Sequence, residues 1–482
     1  MLQRRLQLLT RNALEVRLAK VIAFLIFSLV VLGLLYERSQ IVSHVEGDHR
    51  PFSVSNLDID HITQTASEYT SNPIHAPYKD QFWEVGKRLG AVAQWLSALD
   101  HLNRRSPARQ QVLPAIEKVA IGVLPFLKYT SSETPLDDLR SSFEPGSRGI
   151  VIPVGGGEAA IRFAGHLISS LRLVLGCELP IQVAYAGDKD LPQRDRDRIA
   201  ALEGARDVSF LDVLSLVDDS TLKLAEGGWA IKPFATVVSK FEQVIVLDAD
   251  AVFLQKAEAL FDQRAFIEHG ALLFHDRLLW QHAFRDRHDW FKDQIKEPSP
   301  AMLDSLVWTE DYAEECDSGV VVLDKSRPEV LMGLLHTAWQ NTLEVRDEVT
   351  YKLTYGDKES WWLGLELAGS GYAFEAHYGS ILGWEQESEG ETRVCSFVIA
   401  HVDDDDKLIW YNGSLLKNKL VDPDGYDVPE SWMMDGKWHK GATKPDMSCM
   451  GGAAVTPLTG EEKKSLELSI QAAKRVDQSL AG

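Results

Sequence analysis

The sequence predicts an α/β domain with a mostly parallel sheet flanked by helices, preceded by an N-terminal transmembrane helix, a stem and a short helical segment. Two observations lead to this prediction. From residue 148 onward, short apolar runs alternate with helical stretches, which is typical of a parallel sheet covered on both faces. Near the N-terminus, residues 21–36 form an apolar run without a single charge.

Composition narrows the class of protein. The chain has 482 residues, of which 45% are hydrophobic and 25% are charged, as in ordinary globular proteins, so disordered, collagen-like and disulfide-scaffold chains are excluded. There are 50 Lys and Arg residues against 71 Asp and Glu, which gives a net charge of -21. Because this charge repels phosphate backbones and the body of the chain shows no basic patch, we expect no nucleic-acid partner.

The N-terminal apolar run predicts a membrane anchor. Residues 18–36 could span roughly 27–30 Å of hydrocarbon. A cleaved signal peptide would have a shorter apolar core and a small-residue cleavage site, and a buried core helix rarely has five basic residues before it. Basic flanks stay cytoplasmic, so we predict a cytoplasmic tail over 1–17, an anchor over 18–36 and a lumenal remainder.

The lumenal part divides into four segments. Residues 37–77 are polar and are predicted to form a stem, and residues 78–144 carry two amphipathic helices. The first apolar stripe runs from Phe82 to Leu99, and the second helix is expected to hold Pro114 in its first turn. The α/β domain covers 145–420, and an extension over 421–482, expected to pack on that domain, ends in a helix.

Two covalent modifications are predicted for a lumenal chain. Cysteines 177, 316, 395 and 449 permit up to two disulfides, with all three pairings open. The sequon Asn412-Gly413-Ser414 makes Asn412 a candidate for glycosylation.

The α/β domain places two carboxylates at the end of a strand. The strands are predicted in RGIVIPVGGG, LPIQVAYAG, DVSFLDV and FEQVIVLDADAVFL, with helices between them. Ligands bind at the C-terminal ends of strands in such sheets. Asp248 and Asp250 follow an apolar run there, and carboxylates so spaced can share a hard divalent cation that a nucleoside diphosphate complements. The alternative is a solvated turn.

Several ordered blocks give a family resemblance. Together with VLDADAVFL they are RGIV, Lys232-Pro233-Phe234, DSGVVVLDK, GDKESWWLGLELAG and HVDDDDKLIWYNGSL. Over roughly residues 145–420 the chain resembles the fungal Golgi alpha-1,3- and alpha-1,2-mannosyltransferases of glycosyltransferase family 71. The resemblance implies a GT-A-like domain, GDP-mannose as donor, a mannosylated glycan as acceptor, Mn²⁺ (manganese) as cofactor and a retained alpha linkage, with alpha-1,3 preferred. It also implies a single-pass type II protein of the Golgi membrane, with membership of a Golgi mannosyltransferase complex open.

The resemblance also assigns roles to residues. Asp248, Asp250 and His401 would hold the metal, and Asp357 and Glu359 would orient the acceptor or stabilise the sugar cation. The residues that would bind the donor are Asp248, Lys232, Arg148, Gly155 and Asp317. Structural alternatives stay open. Lys232 could be a surface lysine, His401 a structural histidine and Asp317 part of a turn before a strand. Asp357 and Glu359 could be carboxylates favoured by the helix dipole.

Two other functions are compatible with the sequence. The chain could be a non-catalytic subunit of a Golgi mannosylation complex, or a GT-A enzyme that uses another nucleotide sugar. Intact carboxylates at 248, 250 and 359, with His401, favour an enzyme, because a decayed site usually loses such groups.

Overall fold

The computed structural model describes residues 58–481 apart from 104, 130, 131, 156 and 389. The chain divides into two compact units, 1–57 and 58–482. The predicted tail over 1–17, the anchor over 18–36 and half of the stem lie outside the described residues. Within the described part, no helix is both long enough and apolar enough to cross a membrane.

Helices cover the sheets and build the N-terminal part of the described chain. They are α1 (Ile59–Ser71), α2 (Phe82–Asp100), α3 (Pro107–Val123), α4 (Pro135–Ser141), α5 (Glu158–Ser169), α6 (Gln193–Ala200), α7 (Ile231–Val238), α8 (Arg264–His269), α9 (Arg285–Gln294), α10 (Pro300–Asp304), α11 (Leu306–Glu310), α12 (Pro328–Gln340), α13 (Leu343–Val345), α14 (Tyr351–Leu353), α15 (Lys358–Leu367) and α16 (Gly460–Ala481).

The strands form four sheets. They are β1 (Glu144–Pro153), β2 (Ile181–Tyr185), β3 (Val208–Asp212), β4 (Phe241–Leu247), β5 (Ala251–Phe253), β6 (Ala271–Leu273), β7 (Val320–Asp324), β8 (Ala373–Phe374), β9 (Ile381–Ser388), β10 (Glu391–Ser396), β11 (Ile399–Val402), β12 (Leu408–Asn412), β13 (Leu416–Asn418), β14 (Asp422–Tyr426), β15 (Ser431–Met433), β16 (Lys437–His439), β17 (Ser448–Gly451) and β18 (Thr456–Pro457).

The central sheet has seven strands in the order β3-β2-β1-β4-β7-β6-β8. The first four are parallel, with Ile150 opposite both Ile181 and Ile245. Strand β7 runs antiparallel to β4 and to β6, while β6 and β8 are parallel. The α/β prediction therefore holds, but β7 makes the sheet mixed. The core of this layer consists of aliphatic and aromatic side chains, in which alternate residues of each strand place one face of the sheet under α5.

The predicted strand over FEQVIVLDADAVFL is two strands in different sheets. Strand β4 ends at Leu247, and β5 begins at Ala251 and pairs with β12 in the three-stranded sheet β11-β12-β5. The amide of Ala251 donates to the carbonyl of Asp248 at 3.0 Å, which closes a turn between them. The acidic segment thus lies at the junction of the two sheets.

The N-terminal helices differ from two predictions. Helix α1 lies within the predicted stem and buries Ile62 and Ala66 against α3. Helix α3 begins at Pro107, where the Ser106 hydroxyl accepts from the Arg109 amide at 3.2 Å, so Pro114 lies inside the helix and not in its first turn.

The C-terminal part adds an antiparallel sheet and a long helix. The sheet has the order β16-β17-β10-β9-β15-β18, and a disulfide joins Cys395 of β10 to Cys449 of β17. Cys177 and Cys316 are buried free thiols. Helix α16 packs on α5, where Asp477 accepts hydrogen bonds from Arg162.

Candidate active site

Lys232 joins the ends of three elements. Its ammonium lies 2.8 Å from Oδ1 of Asp248, after β4, and 3.1 Å from Oδ2 of Asp357, before α15. It also donates to the carbonyl of Ser318, before β7, at 2.8 Å. Lys232 itself is only 3% exposed, in the first turn of α7. Lys232 is therefore not a surface lysine, and its contact with the donor stays a prediction.

This cluster has more negative than positive charge. Burial lowers the pKa of Lys232, but the carboxylates of Asp248 and Asp357 outweigh it and the pKa is raised overall. Burial raises the pKa of Asp248 to about 6, opposed by Lys232 and reinforced by the charges of Asp250 and Asp357. A further cation near Asp248 would therefore be stabilised.

Asp250 has a lysine partner that the sequence did not indicate. Its carboxylate pairs with the ammonium of Lys419, which follows β13. Its backbone carbonyl accepts from the amide of Ser414 at 2.8 Å. The chain after β12 thus returns to the acidic segment, and no spacing in the sequence reveals this because the contact spans 169 residues.

A cavity of about 300 Å³ lies at the C-terminal ends of β1 and β4, within the size range of small-ligand sites. It is lined by Pro153, Gly155, Asp190, Leu224, Ala225, Glu226, Gly228, Trp229, Ile231, Lys232 and Asp248. A Cβ at Gly155 would lie 2.7 Å from Oδ1 of Asp190, so a larger residue there would displace the Asp190 carboxylate. Sequence reasoning missed Asp190 and Trp229, because neither belongs to a recognisable motif.

Asp317 and His401 form a buried ion pair. Nε2 of His401 lies 3.2 Å from Oδ2 of Asp317, and Nδ1 pairs with the carboxylate of Glu375. Burial lowers the pKa of His401, but these carboxylates outweigh it and raise the pKa to about 9. Both ring nitrogens of His401 thus contact carboxylates inside the protein, and its role as a metal ligand stays a prediction.

The other oxygen of Asp317 is also bound within the protein. Oδ1 accepts from the Asn412 side-chain amide at 2.8 Å and from the Gly319 amide at 3.0 Å. Burial would raise the pKa of Asp317, but His401 holds it well below its usual range. Both oxygens of Asp317 are thus bound within the protein, and its contact with the donor sugar stays a prediction. Glycosylation of Asn412 stays a prediction, and in the folded chain the nitrogen that would carry the glycan is hydrogen-bonded to Asp317.

The two predicted catalytic carboxylates are buried. Glu359 is 0% exposed and accepts from the indole of Trp362 at 2.6 Å and from the Glu315 amide at 3.1 Å. Asp357 accepts from the indole of Trp361 at 2.7 Å. Glu359 thus supports the segment before β7, and its role in orienting the acceptor or stabilising the sugar cation stays a prediction. Asp357 shares Lys232 with Asp248.

Arg148 lies at the wrong end of the sheet for donor binding. It is exposed, and Nε donates to Oε1 of Gln243 at 2.7 Å. It pairs in register with Gln243, five residues before Asp248, which places it about 16 Å away at 3.3 Å per residue. The prediction that Arg148 binds the donor is therefore wrong.

The carboxylates of Asp248 and Asp250 suit a divalent cation. Among the residues that the structure describes, no three His, Cys, Asp or Glu side chains are grouped to hold a metal ion. Two carboxylates nevertheless match the way in which hard cations are held jointly with substrate phosphates and water. These two carboxylates therefore fit a cation shared with a diphosphate.

The fold and the site define an α/β protein with an acidic ligand-binding edge. Residues 147–403, more than half of the chain, match a family model described as "Mannosyltransferase putative". The chain therefore belongs to this mannosyltransferase family.

Relatives agree with that assignment. The chain is 29% identical over 280 residues to alpha-1,3-mannosyltransferase MNT3 of Saccharomyces cerevisiae, covering 50% of this chain and 43% of that protein. It is 26% identical to MNN1 of the same yeast, covering 61% and 43%, and 26% identical to MNT2, covering 58% and 53%. The chain spans about half the length of these curated relatives.

Similar solved structures include the galactosyltransferase LgtC with donor and acceptor sugar analogues, at 15% identity and a TM-score of 0.30 over 47% of this chain and 72% of that one. Mouse xyloside xylosyltransferase 1 matches at 15% identity and a TM-score of 0.32 over 51% and 89%. TM-scores of this size do not establish a shared fold, and the architecture is defined by the sheets themselves.

Proposed function

We propose that this chain is a type II Golgi mannosyltransferase that transfers mannose from GDP-mannose to a mannosylated glycan, on glycoproteins or cell-wall mannan. The linkage formed is alpha-1,3 in preference to alpha-1,2, with retention. The observation that carries the proposal is the pair Asp248 and Asp250 at the junction of two sheets, where Asp248 also lines a cavity of about 300 Å³. Family membership and the names of the relatives support the sugar and the linkage.

The residues of the site have distinct tasks in this proposal. Asp248 and Asp250 would hold Mn²⁺, which neutralises the charge that develops on the departing diphosphate. Lys232 fixes Asp248 and Asp357 in one orientation, because both carboxylates contact its ammonium. Gly155 and Trp229 line the cavity and would contact the nucleoside. Lys419, beside Asp250, adds positive charge for the phosphates.

The proposed location follows from chemistry at two places in the chain. The apolar run over 18–36, with basic residues before it, would anchor the protein in the Golgi membrane. The disulfide between Cys395 and Cys449 is typical of an oxidising compartment, which agrees with a lumenal domain. Association with a Golgi mannosyltransferase complex is part of the proposal.

The test is nucleotide release by the purified full chain. We would supply a panel of nucleotide sugars with manganese or with a chelator, and measure nucleoside diphosphate with and without α-mannobiose. We expect manganese-dependent release of GDP that rises with the acceptor. Release of another nucleotide would replace GDP-mannose as donor, and no release by a folded protein would favour a non-catalytic subunit.

A variant pair tests the acidic segment. Asp250→Ala should lower transfer at least about 100-fold, the usual cost of losing a group that stabilises charge in the transition state. Asp100→Ala is the control, because Asp100 also pairs with a single cation, Arg140, but in the N-terminal helices. Full transfer by Asp250→Ala would contradict the role given to this carboxylate.

A further inference from the structure

An exposed tryptophan lies between β6 and α9 in an unusual backbone conformation. Trp280 is 47% exposed and has a positive φ of 52°, which a bulky residue rarely adopts. Backbone hydrogen bonds fix its segment: the Ala313 amide donates to the carbonyl of Leu279 at 3.1 Å, and the His282 amide donates to that of Asp311 at 2.8 Å. Such strain persists only where the surroundings impose it.

Charged groups of both signs surround this tryptophan. The ammonium of Lys440 lies 5.9 Å from the ring centroid of Trp280. The guanidinium of Arg277 lies 5.6 Å from the ring of Trp438. Burial lowers the pKa of Lys440, and the charge of Arg277 lowers it further, while Asp276 and Glu314 oppose this effect. Nε of Arg277 lies 3.4 Å from Oδ1 of Asp276, whose amide donates to the carbonyl of Glu315 at 2.8 Å, so the segment with Arg277 lies beside the segment with Glu314.

The same groups connect directly to the cluster around Lys232. Lys358 pairs with Asp276 and lies 3.4 Å from Oε2 of Glu314. Lys358 directly follows Asp357, which contacts Lys232. Glu314 precedes Asp317 by three residues on the segment that Glu359 supports. The patch and the cluster around Lys232 are thus linked through the adjacent residues Asp357 and Lys358.

We propose that Arg277, Trp280, Glu314, Lys358 and Lys440, the Trp280 surface, bind a pyranose ring of the acceptor glycan. A sugar presents an apolar C–H face and a rim of hydroxyls, so it suits an exposed indole with donors and acceptors around it. Arg277 and Lys440 supply donors, and Glu314 supplies an acceptor. This inference rests on the proposed function, because it names the acceptor side of the same site.

The first test is binding of α-mannobiose to the full chain, measured by saturation-transfer NMR without donor. Trp280→Ala should weaken binding about tenfold, which corresponds to about 1.4 kcal/mol. Trp280→Phe should retain most of the binding, because the aromatic face remains. Leu468→Ala is the control, since Leu468 is 40% exposed on α16, which packs on α5. Unfolding curves would show that each variant is folded.

The second test is kinetic and separates this inference from the proposed function. Trp280→Ala should raise the acceptor KM about tenfold and leave the donor KM and the acceptor-independent release of GDP unchanged. Weaker mannobiose binding by Trp280→Ala in a protein that transfers nothing would support the surface and refute the proposed function. Equal binding by wild type and Trp280→Ala, or no binding by wild type, would overturn the Trp280 surface even if transfer occurs.

Discussion

At the scale of single residues, the buried carboxylate of Glu359 links folding to the uptake of a proton. Burial raises the pKa of Glu359 to about 7, although Arg287 opposes the shift, and the ordinary value is 4.5. Between about pH 4.5 and pH 7 the folded protein therefore binds a proton that the unfolded chain does not bind. The free energy of unfolding should fall as the pH rises through this window.

Glu359→Gln should remove this dependence, because glutamine cannot ionise and still offers an oxygen to the Trp362 indole. A pKa shift from 4.5 to about 7 corresponds to about 3 kcal/mol, at 1.36 kcal/mol per unit. Urea unfolding at several pH values should thus show wild type losing about 3 kcal/mol more than the variant from pH 4.5 to 7.5. Glu268→Gln, at an exposed position, should follow wild type. If the free energy of unfolding depends on pH in the same way for wild type and Glu359→Gln, the pKa of Glu359 is not raised as described.

Sequence alone predicts part of the candidate active site. The position of Asp248 and Asp250 at the end of a buried strand was predictable, because an apolar run precedes the two carboxylates. The partners of His401 could not be predicted, because Glu375 and Asp317 lie 26 and 84 residues away in the chain. Arg148 lies in the expected strand, but only the register shows that it is at the opposite end from Asp248.

At the scale of elements, Gly165 lets two helices approach closely. A Cβ there would lie 2.7 Å from Cγ1 of Val476 on α16 and 2.9 Å from Cδ1 of Leu202. Gly165→Ala should therefore destabilise the protein by about 1–3 kcal/mol, as overpacking does. Gly122→Ala is the matched control, because nothing lies within 4 Å of a Cβ at this position of α3. It should stabilise by about 0.5–1 kcal/mol.

A double variant tests the cause of that effect. Val476→Ala in the Gly165→Ala background should recover part of the lost stability, because it removes the methyl group that the new Cβ meets. Urea unfolding of the single and double variants gives the interaction free energy between the two substitutions. Strictly additive effects would show that the cost of Gly165→Ala arises elsewhere.

Elements with local patterns were predictable, and those with distant partners were not. The stripe containing Leu466, Ile470 and Val476 predicts α16, and these residues are buried in the structure. The break between β4 and β5 escaped prediction, because it depends on the pairing of β5 with β12. Strand β10 likewise pairs with β17, far along the chain, so this pairing has no local signal.

At the scale of the whole molecule, the acidic segment lies where the seven-stranded and three-stranded sheets meet. The C-terminal chain returns to this junction through Ser414 and Lys419. A complete site therefore requires the chain to be folded well beyond the parallel strands. The disulfide between Cys395 and Cys449 links two neighbouring strands of the antiparallel sheet.

The cysteines provide a test of this whole arrangement. Cys177 and Cys316 are both 0% exposed, and burial raises the pKa of each thiol, so the native protein should react with no maleimide. In denaturant, mass spectrometry should count two maleimide labels on the wild type without reductant and four with it.

The double variant Cys395→Ala/Cys449→Ala should carry two labels in both conditions. It should also lose about 4 kcal/mol of stability, because the disulfide closes a loop over a separation of 54 residues. Four labels in the unreduced, denatured wild type would show that the chain carries no disulfide, and would remove the support it gives to a lumenal location.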